Sequence, residues 1–120
     1  MRSDRPAGDA GMVTAELAAC LPVLVLVLAV ALSAVAVVGA RVRLQDAARE
    51  AARAAARGDS AAAGRLAAEV APGSSLQLAN SAAQVTATVR EQVHPLAGWL
   101  PALTITERAV AATEPAGPDP

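Results

Sequence analysis

Between Leu17 and Ala40 the chain reads LAACLPVLVLVLAVALSAVAVVGA, 24 consecutive positions without a charge. An α-helix needs about 20 apolar residues to cross a ~30 Å hydrocarbon core. Leu, Val and Ala fall on every side of such a helix, so it is not a surface helix with one apolar stripe. Lipid accepts it because a helix satisfies its own backbone hydrogen bonds. Pro22 lacks an N–H and frees the carbonyl of Ala18, which predicts a mild kink near the start. Ser33 can bond back to the carbonyl of Ala29 at little cost. A cleaved secretory signal has a shorter apolar region, about 7–15 residues, although Ala34-Val35-Ala36 and Val38-Gly39-Ala40 have the form of cleavage sites. Leu17-Ala18-Ala19-Cys20 has the letters of a lipobox, but here the apolar segment follows the cysteine and Glu16 stands directly before it. Cys20, the only cysteine, therefore reads as a small buried thiol.

The rest of the chain is poor in material for a soluble core. Hydrophobic residues make up 54% of its 120 positions, yet Trp99 is the only aromatic, and Ala, Val and Leu supply the apolar content. All ten basic residues are Arg and the net charge is −1, so no global field draws the protein to nucleic acid.

The segment MRSDRPAGDAG mixes charges with Pro and Gly and is expected to be disordered. Glu16 then stands at the mouth of the apolar run. A carboxylate there costs energy unless it reaches the headgroups or a cation. It can mark the water boundary and remain solvated. Alternatively, a chain cut after Gly11 would give Met12 an ammonium group, and Glu16 of one subunit could pair with the Met12 amine of the next, setting axial register between packed helices.

Gly11 followed five positions later by Glu16, at the head of an uncharged run with Pro22 soon after, resembles the type IV prepilin signature. The wider pattern is Thr14-Ala15-Glu16-Leu17-Ala18, Leu21-Pro22-Val23-Leu24 and Arg43-Leu44-Gln45-Asp46-Ala47-Ala48-Arg49-Glu50-Ala51-Ala52-Arg53. It resembles the TadE-like minor pilins (pseudopilins) of Flp-type tight-adherence pili, in a form that looks actinobacterial. The resemblance spans about residues 11–60. It implies cleavage by a prepilin peptidase at Gly11–Met12, a register role for Met12 and Glu16, and membership of a pilus-assembly system with other pilin subunits and membrane platform proteins as partners. It implies no enzymatic activity. Met12 stands where many prepilins have Phe.

Beyond the span, RVRLQDAAREAARAAAR continues the helix with strong helix formers until Gly58, a natural residue just past a helix end. From Val13 to Arg57 such a helix would be about 67 Å long. Gln45, Arg49, Arg53 and Arg57 form one stripe. Arg43 with Asp46, Asp46 with Arg49 and Glu50 with Arg53 are spaced to pair. This stripe reads as a solvated face, while Ala47, Ala48, Ala51, Ala52 and Ala55, with Pro22 in the span, are candidates for close packing against neighbouring pilin helices. Five arginines in 41–57 outweigh Arg2 and Arg5, so the positive-inside rule places the C-terminal part in the cytoplasm. The pilin resemblance places it outside, and Gly11 with Glu16 favours that orientation.

In the C-terminal half, Ser60 is expected to cap a short helix over 61–70, and Pro72-Gly73 to make a turn. Leu76 and Leu78, then Gln84–Val93, then Leu103–Ala111 alternate as short antiparallel strands. In the middle strand Val85, Ala87, Val89 and Val93 share a face, opposite Thr86, Thr88, Arg90 and Gln92. HPLAGWLP (94–101) is a loop, and residues from Glu114 form a disordered tail. So small a module is marginal alone and should lean on the helix or on other subunits, with Trp99 anchoring that packing or the membrane interface.

His94 is the only histidine and has no metal-ligand spacing around it. No Ser lies in a nucleophile elbow, and the glycines form no phosphate-binding motif. No enzyme activity, cofactor, metal, nucleic acid or small-molecule substrate is expected. The reading is an α+β membrane-anchored protein: leader 1–11, long helix 12–58 (span about 17–40, projecting part 41–57), α+β extracytoplasmic module 59–113 with a small hairpin or meander, and tail 114–120. The alternative function is a single-pass membrane adaptor unrelated to pili, with its arginine-rich helix on anionic lipid. In either case the chain should stay in the membrane pellet after alkaline carbonate extraction; release into the supernatant would refute the span.

Overall fold

The computed structural model describes residues 8–115. The expected leader up to Ala7 and the tail after Pro115 lie outside the described residues. Helix α1, Gly8–Ala56, is 49 residues long and runs through Pro22 without ending, about 73 Å at 1.5 Å per residue. It begins earlier than the sequence suggested: residues 8–11, expected to be disordered, are helical. Extending a helix already nucleated downstream costs far less than starting one.

The other end of α1 closes by sequence-encoded chemistry. Gly58 adopts φ +85°, and its N–H donates to the carbonyl of Ala55 at 2.9 Å while that of Asp59 donates to Ala54 at 3.1 Å. This paired closure satisfies carbonyls that a helix end otherwise leaves open. Asp59 then starts helix α2, Ser60–Val70: its carboxylate accepts from the N–H of Ala62 at 2.8 Å. The cap is thus Asp59 and not Ser60, because the closing turn places the Asp59 side chain over the first turn of α2.

Three strands follow: β1 Ser75–Asn80, β2 Gln84–Val93 and β3 Leu103–Ala112. They form an antiparallel meander with β2 in the centre. Ser75 pairs with Arg90 and Asn80 with Val85 on one side, Gln84 with Ala112 and Val93 with Leu103 on the other. At the tight turn between β1 and β2, the Ser81 hydroxyl donates to the carbonyl of Gln84 at 3.0 Å and accepts from its N–H at 3.2 Å.

The sheet and α2 both pack on the part of α1 beyond Val37. One cluster joins Ala40, Leu44, Ala47 and Ala48 of α1 to Ala71, Val89 and Ile105. The other joins Ala51, Ala52 and Ala54 to Ala63 and Ala67 of α2 and Ala87 of β2. Leu44 and Val89 are the largest wholly buried side chains. The rest of the core is nearly all alanine, which brings backbones close but removes little area from water per residue. The module therefore depends on α1 as one wall of its core. The N–H of Glu114 reaching the carbonyl of Ala56 at 3.4 Å adds a tie at the far end.

A core of this kind has no room for larger side chains. Ala48→Leu should destabilise the module by about 1–3 kcal/mol through overpacking. The expected record is an earlier thermal loss of β signal in circular dichroism, with the stem's helical signal retained. An unchanged midpoint would contradict the packing described.

Candidate functional site

The first half of α1 is an apolar stem left largely uncovered by the rest of the chain. Its most apolar 18-residue window has mean hydropathy 3.0, and none of that window is buried. Met12, Leu17, Leu21, Leu24, Leu28 and Leu32 are all more than half exposed. Leaving this much apolar surface in water is untenable for a soluble monomer, so the stem anchors the chain in a membrane. Cys20 is exposed on it, so the expected burial of this thiol does not come from the chain's own fold.

At its head, Met12 and Glu16 lie one turn apart on the same side of the helix, both exposed. No ion pair to Glu16 exists among the described residues. Gly11 sits in ordinary helical conformation, and a Cβ built there would meet nothing within 4 Å. Neither strain nor crowding within the described chain accounts for glycine at this position. Pro22 is exposed.

The alanines assigned to contact between neighbouring helices are placed differently. Ala47, Ala48, Ala51 and Ala52 are buried beneath the chain's own sheet and α2, and Ala55 is half-buried. They do permit close approach, but the approaching backbone is intramolecular. The side of the projecting helix left open carries Gln45, Arg49, Arg53 and Arg57. On it Arg49 meets Asp46 and Arg53 meets Glu50, each at 3.8 Å. The third spaced pair, Arg43 with Asp46, does not form among the described residues. Exposed pairs like these contribute little to stability.

Where the stem meets the module, two acids face α1. The Glu107 carboxylate accepts from Arg41 Nε at 3.1 Å, tying β3 to the helix. Glu91 lies on the inward face of β2, and its Oε2 is buried without a hydrogen-bond partner. Sequence reasoning missed both. The signal was present, since Glu91 falls in the same alternation as Val85, Ala87, Val89 and Val93. Trp99 does not anchor packing within the chain, being 90% exposed.

The family model for TadE-like proteins matches residues 11–53, the stretch from Gly11 to the last ion-paired arginine of α1. A Mycobacterium tuberculosis protein named "Apoptosis inhibitor Rv3655c" is 43% identical over 101 residues, covering 83% of this chain and 78% of that protein. No solved structure matches.

A buried carboxylate oxygen without a partner costs about 1–3 kcal/mol or more. Glu91→Leu, which fills similar space without that cost, should raise the thermal midpoint of the module in detergent. A lowered midpoint would mean that the carboxylate is stabilising where it stands.

Proposed function

The chain belongs to the TadE-like proteins, a family associated with Tad pili, and from that premise we propose that it is a minor pilin or pseudopilin of a Flp/Tad-type pilus, matured by cleavage between Gly11 and Met12. The observation that carries this reading is the spacing of Gly11, Met12 and Glu16 at the head of a largely exposed apolar rod. Gly11 has no packing or conformational role among the described residues, which favours a requirement imposed from outside the chain, such as recognition by a prepilin peptidase.

Cleavage turns the backbone nitrogen of Met12 from a helix amide into an ammonium. Glu16 then has a partner of opposite charge on a neighbouring copy or another pilin. In low dielectric such a pair is worth far more than in water, whereas either charge alone opposes packing. Because Met12 and Glu16 are four residues apart, pairing between subunits steps adjacent helices by about 6 Å along their axis. The α+β module is extracytoplasmic in this arrangement, and the open Arg49–Arg53–Arg57 face is available to other pilin subunits or to the membrane platform proteins. The role is structural, with no reaction assigned to the chain itself.

Two measurements test the proposal. Intact mass from the native host should show loss of residues 1–11 when the prepilin peptidase is present and their retention when it is deleted. Glu16→Ala should keep membrane insertion and cleavage but reduce recovery in sheared pilus fractions several-fold. A chain still bearing Met1–Gly11 beside an active peptidase, or full assembly of Glu16→Ala, would overturn it.

A further inference from the structure

The loop between β2 and β3 does not stay with the sheet; it descends along the stem. The N–H of Leu96 donates to the hydroxyl of Ser33 at 3.1 Å, a long-range contact that the sequence did not suggest. Above and below this contact, Ala29, Ser33 and Val37 are half-buried and Ala40 is buried, a stripe at helical spacing on an otherwise exposed stem. Ser33 lies about 10 Å before Ala40 along the helix, well inside the uncharged run.

This placement conflicts with a span that ends at Ala40. Irregular backbone is not accommodated in hydrocarbon unless protein or water covers it, and residues 97–100 of the loop are exposed. Ending the hydrocarbon at the level of Ser33 puts the Leu96 backbone at its edge and leaves the loop's apolar side chains to dip below it along the stem. Counting back, Met12–Leu32 is 21 residues, or about 31 Å, close to the ~30 Å core, and Glu16, about 6 Å from its far end, extends its carboxylate to the headgroups there. The last part of the uncharged run, from Ser33 to Ala40, then crosses the headgroup region as the wall of the module.

The loop has the chemistry for that level. Residues 94–102, HPLAGWLPA, carry no carboxylate, Arg or Lys. Trp99 is 90% exposed and Leu100 about half exposed. Leu96 and Ala97 hold left-handed conformations, φ 52° and 51°, which cost about 1–2 kcal/mol each in a residue with a Cβ. Together with Gly98 at φ 93°, they turn the chain so that Leu96, Ala97 and Trp99 face Pro22, Leu26 and Ala29 across an open apolar groove. Tryptophan with one apolar side and one N–H favours the membrane–water interface, and the loop is continuous with a stem that is already in lipid.

We propose that residues Leu96–Leu100 are a second membrane contact: an interfacial anchor seated among the lipid headgroups and upper acyl chains of the leaflet on the module's side, with acyl chains filling the groove against the stem. The anchor holds the module at one height and one rotation relative to the membrane. It rests on the membrane placement of α1, and neither on cleavage nor on assembly into a pilus.

Trp99 is the only Trp in a chain without Tyr, so its fluorescence reports on this loop alone. The full chain is reconstituted in phosphatidylcholine vesicles at high lipid-to-protein ratio. The expected result is blue-shifted emission, insensitive to aqueous iodide, and quenched several-fold more by lipid brominated near the top of the acyl chain than near its methyl end. Emission quenched by iodide and unaffected by brominated lipid would place the loop in water and overturn the proposal. So would shielding that follows the protein-to-lipid ratio instead of the bromine label, because a second copy would then be covering the loop. Carbonate extraction of the same vesicles distinguishes the cases: a resistant chain with a water-exposed Trp99 refutes the anchor alone, and an extracted chain refutes the span beneath it.

Discussion

The continuity of α1 governs the rest of the molecule. A helix carries its backbone through lipid with its hydrogen bonds made within the one segment, and here the same helix continues without interruption into the module and becomes one wall of its core. No linker separates the stem from the module. The height and rotation of the sheet relative to the membrane are therefore set by helical geometry, at 1.5 Å and 100° per residue, and not by flexible chain. This rigidity gives Ser33 its importance: a hydroxyl at one depth on the rod meets a loop arriving from the sheet.

Alanine is the material that makes this economical structure possible. A helix pair and a sheet can close on one another around Ala47, Ala48, Ala51, Ala63, Ala67 and Ala87 with almost no side-chain volume between them. The same choice limits the stabilisation, since Leu44 and Val89 are the only large side chains wholly buried among the described residues. The module compensates by specific ties: the closed end of α1 at Gly58, the Asp59 cap, the Arg41–Glu107 pair and the Glu114 contact with Ala56. Its outer surface remains polar, with Thr86, Arg90 and Arg108 on the open sheet face, as suits a domain that stands clear of lipid on that side.

For a TadE-like protein this arrangement divides the functional labour along one axis. The head of α1 holds the residues proposed for maturation and register, and the middle of the stem is lipid-facing. The junction carries the Ser33 contact and the two inward acids, and the far half presents an arginine-lined helix face beside the sheet. The family match ends at Arg53, so it takes in the stem and the open helix face but not the sheet. The Mycobacterium tuberculosis relative, matched over 101 residues, extends the likeness past that point into the sheet.

Much of the architecture was legible in the amino-acid order, because it depends on local rules. An uncharged run of 24 residues of mainly Leu, Val and Ala is long enough to cross a membrane as a helix, Gly58 ends a helix for want of a Cβ, and alternation over Gln84–Val93 and beyond Leu103 sets strands with one inward face. Contacts between segments distant in sequence were not legible. Which surface covers the alanines of α1, why Asp59 and not Ser60 caps α2, and that Leu96 reaches Ser33 sixty-three positions away depend on how the sheet is laid on the helix. The periodicity of a strand specifies which residues face inward but not where along a rod the strand will rest. That position was decided only in three dimensions, by the fit of small side chains and by the partners the backbone found there.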